Sequence, residues 1–285
     1  MDIQWYPGHM TKTRRMMEEN QKLIDIVVEL LDARIPISSR NPAIDEIFPT
    51  KPRLVVLNKS DIADAKITME WENYFKSKGL AVKAISSTMN KSLNDIFLSC
   101  KEILKEKIEH DKKRGLVNRP VKMMVVGIPN VGKSSFINKL SGKKSAQTGD
   151  RPGVTKGKQW IRLANSFELL DTPGILWPKF EDVSVGEKLA FTGAIKDEIM
   201  DLEDIASRLL LVLKDRYPNS LAERYKMSDF EEMTGYELLT LLGRKRGFVI
   251  SGGEIDTERA AKILLDEFRG AKLGRISLES PADFV

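Results

Sequence analysis

The sequence has few thiol and imidazole side chains: a single cysteine, Cys100, and two histidines among 285 residues. One cysteine excludes an internal disulfide bond and a metal site built from several cysteines. No apolar run approaches the roughly 18 residues that a membrane-spanning helix needs. The opening stretch, MDIQWYPGHM, lacks the basic and apolar segments of a signal peptide. We therefore expect a cytoplasmic protein with no membrane partner.

The charge is unevenly distributed along a chain of ordinary globular composition. Hydrophobic residues make up 41% and charged residues 31%, which excludes disorder as the main state. Residues 1–180 hold 31 Lys and Arg against 20 Asp and Glu, whereas residues 181–285 hold 15 against 21. The basic part is a candidate for binding a polyanion, and a basic rim around a phosphate site is the alternative.

Apolar runs and amphipathic stretches alternate through the first 175 residues. Such alternation predicts an α/β domain with a mostly parallel sheet, over residues 1–175. The predicted strands are 24–31, 53–57, 81–85, 122–126, 158–163 and 167–170. The predicted helices are about 68–78, about 91–110 and 133–141.

Residues 176–285 have a different hydrophobic pattern and are predicted to form a mainly α-helical C-terminal domain. Apolar residues recur there at helical spacing, and no strand alternation is seen. Ser228 with Glu231 has the capping-box pattern. Asp256 is placed to cap a helix that ends at Gly270.

A phosphate-binding loop is indicated by the segment GIPNVGKS, which begins at Gly127 and fits G-x-x-x-x-G-K-S. It follows the apolar run VKMMVV and precedes a helical pattern, as this motif requires. Lys133 is expected to reach the β- and γ-phosphates, and Ser134 to bind Mg²⁺. The alternative is a glycine-rich turn with an incidental lysine. The expected phosphate-binding residues are Gly127, Asn130, Val131, Gly132, Lys133, Ser134, Ser135 and Gly174.

Two further segments suit the same site. The sequence DTPG, from Asp171 to Gly174, follows an apolar run. Its aspartate can hold Mg²⁺ through water, and its glycine N–H can face the γ-phosphate. Thr155, in RPGVTKG, can bind Mg²⁺ and the γ-phosphate when its loop orders, with Thr148 as the competing candidate.

A base-specificity element is indicated by NKSD after the apolar run RLVVL. The carboxylate of Asp61 presents two acceptors, which match the paired N1–H and N2–H donors of guanine and select GTP over ATP. Asn58 and Lys59 are expected to brace the base and the adjoining loops. Ser86 and Ser87 suit a backbone N–H donated to guanine O6, although serines that simply end a strand remain the alternative.

These motifs resemble those of the Ras-like GTPases, but NKSD precedes the phosphate loop, whereas in ordinary members the phosphate loop comes first. The sequence therefore resembles the circularly permuted GTPases. With WYPGHM, GIPNVGKSS and DTPGILWP, it is similar to the ribosome biogenesis GTPase A (YlqF-type) family along essentially its whole length. The resemblance implies a Ras-like sheet, GTP/GDP binding and a role in assembly of the large ribosomal subunit, with binding to its rRNA. Because DTPG leads into the helical domain, we expect the GTP state to be coupled to that domain.

The residue that would activate water is not the usual one. Ras-like enzymes place a glutamine after D-x-x-G, but here that position is Ile175. His110 lies in a charged, solvated segment, which leaves His9, and the resemblance implies that His9 is catalytic. A structural histidine is the alternative. Asn130 matches an asparagine that helps to hold K⁺ in related GTPases, or it serves only the turn.

A basic loop interrupts the otherwise acidic C-terminal part. It contains Arg244, Lys245 and Arg246 between two glycines, and we expect these side chains to contact RNA phosphates. No RRM or KH signature is present, so binding is expected to follow backbone and shape.

The sequence thus favours a GTP-hydrolysing assembly factor that is a monomer off the ribosome. An RNA-binding scaffold with GTP as a structural ligand is one alternative, and intact Lys133, Ser134 and Asp171 argue against it. A GTP-dependent tRNA-modification factor is another, but no second catalytic constellation is apparent.

Overall fold

The computed structural model describes residues 8–86, 93–116, 119–142, 160–170 and 182–284, the side chains of His9, Met10 and Leu93 excepted. The described residues form two compact units. The helical unit comprises 182–278. The sheet unit combines the described residues up to 170 with 279–284. The expected boundary at 175/176 lies outside the described residues, and the last residues of the expected helical domain belong to the sheet unit.

A six-stranded sheet forms the centre of the sheet unit, in the order β3-β2-β1-β4-β6-β5. All neighbouring strands are parallel except β5, which is antiparallel to β6. The predicted fold class, a mostly parallel α/β sheet with a helical C-terminal part, is confirmed. The strands are β1 (Ile26–Asp32), β2 (Arg53–Asn58), β3 (Ala81–Ala84), β4 (Val121–Gly127), β5 (Trp160–Arg162) and β6 (Phe167–Leu170).

The register of the central strands brings two loops to one edge of the sheet. All seven residues of β1 are buried, as expected for a strand covered on both faces. Leu30 of β1 pairs with Val56 of β2 on one side and with Gly127 of β4 on the other. The loops that follow β2 and β4 therefore leave the same edge of the sheet, where α/β proteins bind their ligands.

Six α-helices are described in the sheet unit. Asp64 caps α3 by accepting hydrogen bonds from the backbone N–H groups of Lys66 and Ile67, and Trp71 and Phe75 of the same helix are buried. The single helix predicted over about 91–110 is wrong, because the chain leaves helical geometry at Leu104. The helices are α1 (Gly8–Asn20), α2 (Ala43–Ile47), α3 (Ala65–Ser77), α4 (Leu93–Ile103), α5 (Lys105–Lys113) and α6 (Lys133–Ser141).

The helical unit is organised around α8, which packs against the four other α-helices of this unit. The Asp256 cap is confirmed, since its side chain accepts a hydrogen bond from Arg259 N–H and the helix ends at Gly270. The capping box lies at Thr234 and Glu237, not at the predicted Ser228 and Glu231. None of the helices described in either unit has the length and hydropathy of a membrane-spanning segment. The helices are α7 (Val183–Phe191), α8 (Leu202–Arg216), α9 (Pro218–Tyr225), α10 (Gly235–Lys245) and α11 (Thr257–Arg269).

Candidate nucleotide-binding site

The predicted phosphate loop connects β4 to α6. The strand ends at Gly127 and the helix begins at Lys133. Between them, Asn130 (φ 56°) and Gly132 (φ 94°) are both in the left-handed region, which asparagine and glycine adopt most readily. Such turns direct backbone N–H groups into a concavity beside the helix N-terminus, the arrangement that binds phosphate.

Both glycines of the loop stand where a side chain would collide. A Cβ atom on Gly132 would lie 2.4 Å from Asn58 Nδ2, and one on Gly127 would lie 2.8 Å from the carbonyl oxygen of Leu30. The glycine spacing of the motif therefore reflects close packing of the loop against β1 and against the residue that ends β2, in addition to its backbone turns.

The lysine and the two serines of the motif occupy the first turn of α6. Lys133 is buried, and its Nζ donates a hydrogen bond to the carbonyl oxygen of Gly127 at 3.3 Å. Its ammonium group therefore lies against the phosphate loop, where it could also bind the phosphates of a nucleotide. Ser134 is half-buried and Ser135 is exposed. The Ser134 hydroxyl fits the oxygen ligand that Mg²⁺ prefers.

A hydrogen bond joins NKSD, the predicted guanine motif (residues 58–61), to the phosphate loop. The side chain of Asn58 is buried, and its Nδ2 donates to the carbonyl oxygen of Val131 at 2.7 Å. The carbonyl oxygen of Asn58 in turn accepts from Ala33 N–H at 2.9 Å. Asn58 therefore fixes the loop after β2 against the phosphate loop on one side and against the end of β1 on the other.

The second residue of the guanine motif is held by an ion pair. Lys59 (φ 62°) places its Nζ 2.9 Å from Asp32 Oδ2. The same carboxylate accepts from Nη2 of the buried Arg34 at 2.8 Å. Burial by itself raises the pKa of Asp32, but the charges of Arg34 and Lys59 outweigh it and hold this pKa well below its ordinary value of 3.8.

The remaining guanine-motif residues lie at the same edge of the sheet. Ser60 N–H donates to the carbonyl oxygen of Ile85 at 3.0 Å, which joins the NKSD loop to the segment after β3. Asp61 and Ser86 follow directly on these two residues, and both are half-buried. The structure therefore brings Asp61 and Ser86 to adjoining loops.

Several predicted site residues lie outside the described residues. The backbone of His9 is described, as the second residue of α1, but its side chain is not. The predicted site residues that lie wholly outside the described ranges are Ser87, Thr148, Thr155, Asp171 and Gly174.

No group of three or more His, Cys, Asp or Glu that could hold a metal occurs in the described ranges.

The basic segment 244–246 is not the predicted loop, because Arg244 and Lys245 are the last residues of α10 and Arg246 is its C-cap. Arg244 and Lys245 are exposed. Arg246 places Nη2 3.0 Å from Glu267 Oε1 and stacks its guanidinium 5.2 Å from the ring centroid of Tyr225. Of the three, only Arg244 and Lys245 therefore combine exposure with no described ion pair.

Sequence reasoning missed Asp32 and Arg34 as members of the site. A signal was present, because an aspartate ends the apolar run IVVELLD and an arginine follows two residues later. A carboxylate at the carboxyl end of a buried strand requires a partner, and NKSD supplies one in Lys59.

Comparison with known proteins places these motifs in a wider context. A family model described as "50S ribosome-binding GTPase" matches residues 122–242, from β4 onwards. The Bacillus cereus protein named ribosome biogenesis GTPase A is 50% identical over 284 residues, covering 100% of this chain and 96% of its own length. The Thermotoga maritima protein of the same name is 34% identical over 283 residues, covering 99% of this chain and 96% of its own.

Two solved structures are similar along nearly the whole chain. A structure described as GDP-bound "TM YlqF" has a TM-score of 0.70 at 30% identity and covers 94% of this chain and 100% of its own. A structure described as GNP-bound YlqF from T. maritima has a TM-score of 0.66 at 30% identity and covers 95% and 98%.

Proposed function

The chain belongs to the ribosome biogenesis GTPase A family, and from that premise we propose that it assists a late step in maturation of the large ribosomal subunit. In this proposal it binds the large subunit and its rRNA while it hydrolyses GTP. It is a monomer off the ribosome and acts in the cytoplasm.

The contact between Asn58 and Val131 is the observation that carries the nucleotide site. It joins two motifs that are far apart in sequence and that run in permuted order. A guanine-selecting loop is of use only if it is fixed relative to the loop that holds the phosphates, since one nucleotide must reach both. Together with the register of β1 with β2 and β4, this hydrogen bond supports a single GTP/GDP site.

The residues of this site have complementary tasks in the proposal. Asp61 accepts hydrogen bonds from the guanine edge, and the N–H groups before α6 bind the phosphate oxygens. Lys133 places its positive charge on the β- and γ-phosphates. Ser134, Thr155 and Asp171 would hold Mg²⁺, which would supply positive charge to the transferred phosphoryl group.

Two further groups complete the hydrolytic site. Ile175 has no group that can orient water, so His9 serves this purpose in the proposal. Asn130 is exposed at the turn of the phosphate loop, where its side chain suits K⁺ binding beside the phosphates. A bound K⁺ would supply positive charge as the phosphate bond breaks. Equal rates of GTP hydrolysis in Na⁺ and K⁺ buffers would reject this role.

The helical unit is proposed to contact rRNA and to respond to the nucleotide. Its exposed Arg244 and Lys245 stand in an otherwise acidic part of the chain. A local patch of this kind binds phosphates through charge, so its binding should weaken as salt rises. The response to GTP would pass through residues after DTPG, which continue directly into this unit.

Hydrolysis measured with ribosomal subunits tests the proposed function. Purified full-length chain is incubated with GTP alone, with large subunits or with small subunits, and released phosphate is measured. We expect stimulation by large subunits only, and none for Lys133→Ala, which controls for contaminating hydrolases. A rate that large subunits leave unchanged, together with failure to co-sediment with them, would reject the proposal.

A further inference from the structure

The last residues of the chain return to the sheet unit. Residues 279–284 follow the helical unit in sequence, yet they belong to the sheet unit. We call them the C-terminal brace. Its first residue, Glu279, has an exposed fraction of 0%. A carboxylate buried to this extent is costly unless its oxygens are hydrogen-bonded, so its partners identify what the brace holds in place.

The partners of Glu279 belong to the loop that follows β1. Oε2 accepts from Ile37 N–H at 2.9 Å. Ser38 N–H lies 3.2 Å from each carboxylate oxygen, and the Ser38 hydroxyl donates to Oε1. Hydrogen bonds to a carboxylate are stronger than those between neutral groups. Glu279 therefore holds two consecutive residues of this loop.

The rest of the brace is anchored on α3. Trp71 Nε1 donates to the carbonyl oxygen of Glu279 at 3.1 Å, and the ring of Phe284 lies 5.8 Å from the Trp71 ring. Trp71 is itself buried in the core formed with β1 and β2. The contacts with Trp71 therefore fix the brace to the core of the sheet unit, and Glu279 is held beside the loop that follows β1.

A continuous path of contacts leads from that loop to the guanine motif. Ser39, next to Ser38, donates its hydroxyl to the carbonyl oxygen of Pro36 at 3.2 Å. Its Oγ accepts from Asp32 N–H at 3.0 Å. Asp32 then holds Lys59 Nζ at 2.9 Å. The path from Glu279 to NKSD therefore runs through hydrogen-bonded groups, and those before Lys59 (Ser38, Ser39 and Asp32) are buried.

We infer that Glu279 is a positioning residue for guanine recognition: by fixing the loop after β1, it sets the position of Asp32, Lys59 and so of Asp61. The inference rests on the proposed guanine site and deepens it. The brace begins directly after Leu278, where the helical unit ends.

Substitution of Glu279 by glutamine tests this inference. The measurement is a ratio of two nucleotide affinities, which a uniform loss of stability would leave unchanged. Glutamine has the same shape, but its NH₂ group would face N–H donors. Affinities for GDP and for IDP are measured by titration. IDP lacks the 2-amino group that Asp61 is proposed to bind, so the ratio of the two affinities reports on the position of Asp61.

We expect Glu279→Gln to weaken GDP binding about tenfold, a loss equivalent to ~1.4 kcal/mol, and to weaken IDP binding less, so that the GDP-to-IDP ratio falls. The matched control Glu254→Gln changes an exposed carboxylate of the helical unit and should leave the ratio unchanged. A folded Glu279→Gln protein with the wild-type ratio would overturn the inference.

A milder variant covers the case in which Glu279→Gln does not fold. Ser38→Ala removes one donor to Glu279 and keeps both backbone N–H contacts, so the ratio should fall in the same direction by a smaller factor. An unchanged ratio for this variant would equally overturn the inference. If the wild-type chain itself failed to prefer GDP over IDP, the guanine site would be rejected, and the role of Glu279 with it.

Discussion

Asn58 Nδ2 donates to the carbonyl oxygen of Val131 across 2.7 Å and thereby joins residues 73 positions apart in the chain. In this permuted order the guanine motif comes first and the phosphate loop second. Both motifs follow strands that pair in parallel with β1. They therefore lie at the same edge of the sheet, whichever of them comes first in the sequence. The site depends on strand neighbours and not on the order in which the chain visits them.

Gly132→Ala is predicted to disrupt this contact. Its Cβ would lie 2.4 Å from Asn58 Nδ2, so either the loop or the amide must move. We expect GDP affinity to fall by more than about tenfold, measured by titration. Gly142→Ala is the matched control at the other end of α6: its φ is also positive, but no atom lies within 4 Å of the added Cβ. Equal nucleotide affinities for the two variants would contradict the prediction.

His9→Ala is predicted to separate binding from turnover. If His9 orients or deprotonates the attacking water, its loss should lower kcat for GTP by about a hundredfold or more. The KM and the affinity for GDP should stay near their wild-type values. His110→Ala, which removes the other histidine, is the control. Turnover that survives in His9→Ala would assign His9 to a structural role.

The ion pairs of Asp32 predict a particular dependence of stability on pH. A carboxyl whose folded pKa is lowered stabilises the fold above its unfolded pKa, here near 3.8, and loses that contribution as the pH falls toward its folded pKa. The loss approaches about 1.4 kcal/mol per pH unit. Asp32→Asn should remove this component.

Urea unfolding from pH 6 down to pH 3 measures the effect. Near neutral pH, Asp32→Asn should be less stable by about 3–5 kcal/mol, because Arg34 is left buried without its anionic partner. The difference from wild type should shrink below about pH 4. Asp215→Asn, at an exposed carboxylate, should show no such narrowing. A difference that stays constant with pH would contradict the assignment.

Removal of the two exposed basic side chains is predicted to weaken RNA binding. The double variant Arg244→Ala/Lys245→Ala should bind large-subunit rRNA more weakly. The slope of log affinity against log salt should fall by about one for each phosphate that the variant no longer neutralises. Lys196→Ala/Lys272→Ala removes the same charge from exposed positions of the same unit and is the control. Identical slopes for the two double variants would exclude a local RNA patch.

Local patterns in the sequence predicted the sheet well and its supporting contacts poorly. The six strands lie within about two residues of their predicted ends. The signal is strongest for β1, β2 and β4, because each is a nearly continuous apolar run that is almost wholly buried. The capping box was misplaced because S/T-x-x-E occurs twice in succession. Of the two, the box at Thr234 leads directly into a helix with a buried face, with Leu238 and Leu242.

The C-terminal brace had no such signature. Glu279 contacts Ile37 across 242 positions, and no periodicity links residues so far apart. Asp32 could have been suspected from its place at the end of an apolar strand. Its partner Arg34 is a buried cation, which composition alone does not reveal.

The central claim is that Asp61 selects guanine in a GTP-hydrolysing site. Hydrolysis of GTP and of XTP by the wild-type chain and by Asp61→Asn tests it most directly, because loss of folding cannot reverse the preference between the two nucleotides. Xanthine has a carbonyl group where guanine has its 2-amino donor, so an asparagine amide can donate where the aspartate could only accept. We predict that wild type favours GTP in kcat/KM and that Asp61→Asn favours XTP, each by at least about tenfold. An Asp61→Asn chain that still favours GTP as wild type does would contradict the account.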